Sequence, residues 1–268
     1  MKNKKDNNFS NEHKAYLRKE RNKKIIITVS RILILVLILG IWELCAQAKA
    51  IDPFITSSPS RVIKTIGDLY KNGTLFYHIG ITLAETIAGF VIAVVFGYAV
   101  AVVLWWSDSV HKVLEPYIVV LNSLPKIALG PLIIIWIGTG YTAIIFMTVI
   151  VSVIVCIMNM LAGFIAVDKT KVTLMKSMGA NKLTTLRKLI MPATLPALMN
   201  TLKVAVGLAW IGSIMGEYIV SKAGLGYLIV YGGQVFKLDL VMTATFILCV
   251  LAGGMYGIIA VIEKRFNK

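Results

Sequence analysis

Long charge-free runs dominate the hydrophobic pattern of this chain. Thr86 to Ser107 covers 22 residues, Ile127 to Val167 covers 41 and Leu240 to Ile262 covers 23, all without Asp, Glu, Lys or Arg. About 20 apolar residues in a helix cross the hydrocarbon core of a bilayer. Each run therefore predicts a spanning helix, and the longest helps to form two. Strict alternation of apolar and polar positions is missing, which argues against a membrane β-barrel. Six spans are expected, at about 25–46, 80–105, 113–137, 141–166, 193–217 and 239–262. The fold class that follows is all-α, a polytopic membrane protein of about six helices.

Between the spans, local signals predict shorter elements. In "SSPSRVIKTIGDLYKNG", Ser58 can cap a helix, Pro59 fits its first turn and Asn72-Gly73 ends it. Val62, Ile63, Ile66, Leu69 and Tyr70 make one apolar face, suited to a membrane interface. "WWSDSVHK" and "GTG" at 138–140 read as tight turns. Within the third span, "NSLPKIALGP" holds Pro125, Gly130, Pro131 and a charge at Lys126, and each weakens a straight helix. Such interruptions serve either as packing kinks or as parts of a transport path.

Composition sharpens the class. Charged residues make up 15% of the 268, and 57% are hydrophobic, against about 25% charged in ordinary soluble domains. The net charge of +15 raises nucleic-acid binding as an alternative, so its placement matters. With the N-terminus in the cytoplasm, inside segments hold 19 Lys and Arg residues and outside segments hold six. The positive-inside rule then places both termini in the cytoplasm. The basic excess becomes a topology signal facing a lipid bilayer, and no nucleic-acid partner is expected. Residues 1–24 form a basic cytoplasmic tail, and 25–268 form the membrane domain of a multi-pass cell-membrane protein. The first apolar run lacks a small-residue cleavage pattern and reads as a retained span. Cys45, Cys156 and Cys249 all fall in apolar runs without ligand-like spacing, so neither a disulfide nor a metal site is expected.

One stretch interrupts this greasy chain with a purpose. Within 168–192, Met175, Met178, Leu183, Leu186 and Leu189 or Ile190 recur at near-helical spacing among Lys and Arg residues. Gly179 breaks the pattern, Asn181 can cap a second short helix from Lys182, and Pro192 opens the next span. The result is a helix–Gly–helix knob with an apolar face and a basic rim. A knob of this kind suits docking to a soluble partner or rest on lipid headgroups.

The residues themselves then point to a family. "TLMKSMGANKLTTLRKLIMP" resembles the EAA loop of ABC importer permeases, with Gly179, Ala180 and Pro192 at the expected intervals and Leu189 at an aliphatic position. Thr173-Leu174-Met175 replaces the loop's acidic-Ala-Ala opening. "LEPYIVVLNSLPKIALGPLIIIWIGTG", "GLAWIGSIMGEYIVSKAGLGYLI" and "SPSRVIKTIGDLYKNG" are similar to further signatures of the nitrate/sulfonate/taurine branch, and together the four cover about Pro53 to Arg265. The resemblance implies a permease subunit, paired as two copies, bound to two cytoplasmic ATP-binding subunits and fed by an extracytoplasmic substrate-binding protein. It also implies that Thr173, Leu174, Met175, Met178, Gly179, Ala180, Leu183, Leu189 and Pro192 form the ATPase-coupling loop. No G-x-x-x-x-G-K-[ST] motif occurs, so no enzyme activity and no cofactor are expected here; ATP-Mg belongs to the partner.

Charges inside the spans need individual reasons, because each costs about 2.5–3.5 kcal/mol at mid-bilayer. Arg31 and Lys203 are expected to snorkel, and Glu43, Glu85 and His78 to meet water near the outer side. Glu217, set among small residues in "GSIMGEY", is the charged candidate for a gate. Asn122, Ser123 and Pro125 are the other candidates for the translocation path. A self-sufficient channel or secondary carrier is the alternative function. Against it, the second half of the chain does not mirror the first, and the main polar investment is a knob. A membrane-embedded enzyme fits less well, since His13, His78 and His111 are scattered.

Overall fold

The computed structural model describes residues 11–266, so the expected tail falls partly outside the described residues. Every regular element among the described residues is helical. In order these are α1 (Asn11–Gln47), α2 (Pro53–Thr56), α3 (Pro59–Lys71), α4 (Leu75–Trp106), α5 (Asp108–Ser123), a 3₁₀ turn (Lys126–Leu129), α6 (Gly130–Ile137) and α7 (Tyr141–Ile165). After them come α8 (Lys169–Ser177), α9 (Lys182–Thr185), a π turn (Leu186–Ile190), α10 (Met191–Ala193), α11 (Leu195–Val220), α12 (Leu225–Gln234) and α13 (Leu238–Phe266). Five helices are long and apolar enough to cross a membrane, namely α1 from Arg18, α4, α7, α11 and α13.

The sixth span differs from expectation. Its two halves, α5 and the segment Lys126–Ile137, meet at 85°. The break falls at Leu124, whose extended backbone (φ −65°, ψ 137°) is what a residue before proline adopts. Gly130 and Pro131 do not break anything. They open α6, where a proline in the first turn costs no hydrogen bond.

The chain divides into two compact units, the first ending at Lys64 and the second beginning at Thr65. In the first, Glu43 ties the end of α1 to the start of α3. Its carboxylate accepts from the Ser60 N–H and the Ser60 hydroxyl, both at 2.9 Å, and from Gln47 at 2.8 Å. Glu43 therefore caps a helix and does more than face water. The predicted ends of α3 hold: the Ser58 hydroxyl accepts from the Arg61 N–H at 3.4 Å, and Gly73 turns the chain at φ 71°.

In the second unit α7 is the central helix, packed along both α4 and α11. Gly89, Ala93, Gly97 and Ala101 recur every fourth position on α4 and are all buried. Small residues at such spacing let two backbones approach closely, which is what holds helices together where lipid is as apolar as they are. Thr148 on α7 shows how tight the fit is. A β-carbon on Gly89 would lie 2.4 Å from its methyl group, and one on Gly212 of α11 would lie 2.6 Å from its Cα. At the other side of the unit, Leu75, Leu225, Leu228, Leu240, Ala244 and Ile247 join α4, α12 and α13, with Ile66 and Leu69 of α3 against them. Lys203 does not simply snorkel; it pairs with Glu263 of α13 at 2.6 Å. The cysteines are all free.

These contacts make a prediction with a built-in control. Gly212→Ala should overpack the α7–α11 contact and lower the protein's stability by about 1–3 kcal/mol. Gly207→Ala on the same helix, with nothing within 4 Å of the added carbon, should be neutral or stabilising. Thermal unfolding of the two purified variants in one detergent checks this; equal midpoints would remove Gly212 from the packing argument.

Candidate functional site

The knob begins at Asp168, whose carboxylate caps α8 by accepting from the Thr170 N–H at 2.8 Å. That bond holds the Asp168 carboxyl below its ordinary pKa. The far end of α8 closes as its sequence foretold. Gly179 takes φ +80°, its N–H donates to the Lys176 carbonyl at 2.9 Å, and the Ala180 N–H donates to the Met175 carbonyl at 3.0 Å. This paired closure needs a left-handed residue, and glycine takes that shape without cost. Asn181 then caps α9, its side chain accepting from the Thr184 N–H at 2.7 Å.

Two sets of contacts fasten the knob to the spans. Leu186 and Ile190 turn inward and are buried with Leu104 of α4 and Met160 and Phe164 of α7. The Lys182 ammonium donates to the Trp106 carbonyl and lies 5.9 Å and 5.7 Å from the Trp105 and Trp106 ring centres. The outward face is different. Leu174, Met178 and Leu183 are 60%, 76% and 44% exposed, and Thr173, Lys169, Lys171, Lys176, Arg187 and Lys188 of the same segment are exposed too. Met175, Ala180 and Leu189 are half-buried, and Pro192 is exposed at the approach to α11.

At the opposite end of the same helices lies a buried polar cluster. The first N–H groups of a helix have no partner within it, and in α12 four of them find side chains from α4 and α11. The Gly224 N–H donates to His78 Nδ1 at 3.0 Å and the Leu225 N–H to Thr82 Oγ1 at 2.8 Å. Glu217 Oε2 accepts from the Gly226 N–H at 2.6 Å and the Tyr227 N–H at 3.3 Å. The glycines make room for this. A β-carbon on Gly224 would lie 2.3 Å from Glu217 Oε2, and one on Gly226 would lie 2.8 Å from Glu217 Cβ. Below the cluster, Thr86 of α4 and Ser213 of α11 share a hydrogen bond at 2.7 Å.

Glu85 belongs to this cluster, against expectation. It is 2% exposed and Glu217 is 1% exposed, and the two carboxyls are neighbours. His78 is likewise buried at 9% exposed, not a surface histidine. The start of α12 covers His78 through the Gly224 N–H, and Ser221 and Ala223 lie beside Glu85. Glu85 also lines a cavity of about 270 Å³ together with Tyr77, Tyr141, Ser221 and Lys222. The other path candidates lie on a different element, at the end of α5 and just after it. Asn122 accepts from Lys126 Nζ through its backbone oxygen at 3.2 Å and its side-chain oxygen at 3.3 Å, and Ser123 donates back to Val119 at 3.0 Å. All three lie at the bend between α5 and the 3₁₀ turn, while the polar groups around Glu217 come from α4 and α12. Glu85, His78 and Thr82 went unrecognised in the sequence, although a carboxylate opening a charge-free run and a Gly-Leu-Gly after Glu217 were both visible. Among the described residues no group of three His, Cys, Asp or Glu side chains could hold a metal ion.

Comparison with known proteins agrees with this layout. Residues 93–268 match the family described as binding-protein-dependent transport system inner membrane component. A probable ABC transporter permease protein of Haemophilus influenzae is 30% identical over 236 residues, covering 88% of this chain and 95% of its own. The taurine transport system permease protein TauC of Escherichia coli is 26% identical, with 81% of each chain covered. In fold, the chain is similar to a solved structure of the MetNI methionine ABC transporter in an inward-facing conformation. The TM-score is 0.66 at 19% identity, over 74% of this chain and 98% of that one. The knob, the bundle around α7 and the multi-pass helices thus have one common source: this chain belongs to the family of inner-membrane permease components of binding-protein-dependent ABC transporters.

Proposed function

We propose that this permease works as half of a homodimeric, ATP-driven importer, with residues 1–24 and the knob on the cytoplasmic side. Two ATP-binding subunits receive the two knobs, and an extracytoplasmic binding protein delivers a small solute, a nitrate-, sulfonate- or taurine-like anion or a vitamin precursor. The observation that carries this is the exposed apolar triad Leu174, Met178 and Leu183 on a knob whose other face is anchored in the bundle. Exposed apolar side chains on a segment also carrying exposed Lys and Arg residues suit a cleft on a soluble protein. The Thr173-Leu174-Met175 opening supplies apolar contact where an acidic residue would supply charge. ATP-Mg is used in the partner; ATP binding there favours one arrangement of the paired permeases. Because Leu186, Ile190 and Lys182 fix the knob to α4 and α7, a shift at the docking face moves those helices as packed bodies.

A labelling experiment tests orientation and docking together. In a background free of the native cysteines, Met178→Cys should resist a membrane-impermeant thiol reagent in intact cells and react in inside-out vesicles. Adding back the partner ATPase should protect it, and Lys222→Cys should show the reverse sidedness. Labelling of Met178→Cys from outside, or no protection by the ATPase, would contradict the proposal.

Glu217 acts in this scheme as a latch that holds α12 to α11. Its removal leaves two backbone N–H groups buried without an acceptor, which costs about 1–3 kcal/mol for each. Glu217→Ala should therefore speed amide hydrogen exchange at Gly226 and Tyr227 and reduce uptake. Glu217→Gln, which retains an acceptor oxygen, should keep most of the protection. Equal exchange in both variants and the native protein would show that the cap lies elsewhere.

A further inference from the structure

Glu85 and Glu217 stand side by side where α4 packs on α11, and each is almost wholly buried. Their carboxyls are within hydrogen-bond reach of one another. A carboxylate only accepts hydrogen bonds, so two of them can be joined only when one carries a proton. Electrostatics asks for the same, because two adjacent buried charges of one sign repel with little water to screen them.

The surroundings decide which of the two holds the proton. Glu217 Oε2 accepts from the Gly226 and Tyr227 N–H groups at 2.6 Å and 3.3 Å, and the Thr82 hydroxyl also bonds to this side chain. Donors at the N-terminal end of α12 suit a negative charge. Glu85 receives no such donor at either oxygen, and the charged group acting on it is Glu217. The other ionisable side chains around the pair are Tyr77 and His78 of α4, Tyr141 of α7, Tyr218 of α11, Lys222 of the loop and Tyr227 of α12. None gives either carboxyl a paired cation: His78 Nδ1 already accepts from the Gly224 N–H, and Lys222 is exposed.

We propose that Glu85 and Glu217 form a proton-binding site, in which Glu85 holds a proton, donates it to Glu217 and so clamps α4 to α11 beside the cap of α12. The cavity of about 270 Å³ that Glu85 lines, with the exposed Lys222 on its wall, gives the proton its route to and from Glu85. When α4 and α11 part, both carboxyls meet water and ionise at neutral pH. The packed arrangement therefore binds one proton more than the parted one. By linkage, acid favours the packed arrangement, and rising pH releases it by up to about tenfold per pH unit.

Infrared spectra of the full chain in an ester-free detergent test the site directly. At neutral pH the native protein should show the C=O band of a buried carboxylic acid, fading only at alkaline pH. The band should be missing in Glu85→Gln, which keeps an N–H donor toward Glu217, and should persist in Glu217→Gln. Amide hydrogen exchange, corrected for its intrinsic dependence on pH, reads the linkage. Exchange at Gly226 and Tyr227 should speed up by as much as about tenfold per pH unit in the native chain once the band fades, and stay level in Glu85→Gln. Absence of the acid band from the native spectrum at neutral pH overturns the proposal without reliance on any variant. A native band left unchanged by Glu85→Gln overturns it too, as do equal pH profiles of exchange in the native and Glu85→Gln proteins.

Discussion

Close approach around α7 is the constraint on which the rest depends. Inside a bilayer, helices gain little hydrophobic energy from one another, so association rests on van der Waals contact and hydrogen bonds. Gly89 and Gly212 press on Thr148 from two helices, and Thr86 meets Ser213 beside them. This leaves α4, α7 and α11 little freedom to slide independently. Their shared rigidity is what makes the two ends of the unit parts of one device. The 22 helical residues from Glu85 to Trp106 correspond to roughly 30 Å at 1.5 Å per residue. A knob fixed to one end can therefore act on a pocket at the other only through helices that move as bodies.

The same lack of water explains the polar cluster. A helix that starts within or near the membrane must have its first N–H groups satisfied by protein. In α12 this is done by His78, Thr82 and Glu217, from two other helices. The arrangement makes the position of α12 conditional on the spacing of α4 and α11. A change in that spacing would loosen the cap of α12.

Legibility in the sequence follows the range of each interaction. Most of the knob could be read residue by residue, because Gly179 and Asn181 act on partners within a few positions. Pro192, expected to open the fifth span, lies instead in α10, ahead of α11, which starts at Leu195 with its own proline in the first turn. The caps of α3 were equally plain. The bend at Leu124 could be located but not measured, since proline says where a helix yields and packing decides by how much. Helix α12 was missed because its ten residues are too few for a span and its capping groups lie on other helices. Glu85 and His78 were misplaced for the same reason: His78 meets Gly224 across 146 positions, and nothing local reveals it. Leu186 and Ile190 carried the same apolar signal as Met178 and Leu183. Only the fold decides which pair anchors and which pair docks.

The most direct measurement of this linkage is a distance across the assembled complex. In the proposed complex of two permease copies, spin labels at Lys222 of each would report the spacing at this end while nucleotide acts at the knob end. ATP trapped in the partner ATPase should shift the distance distribution in the native complex. The shift should vanish when Leu186→Ala and Ile190→Ala unfasten the knob, even though the ATPase remains bound. A shift that survives those changes, or its absence in the native complex, would contradict transmission through the packed helices.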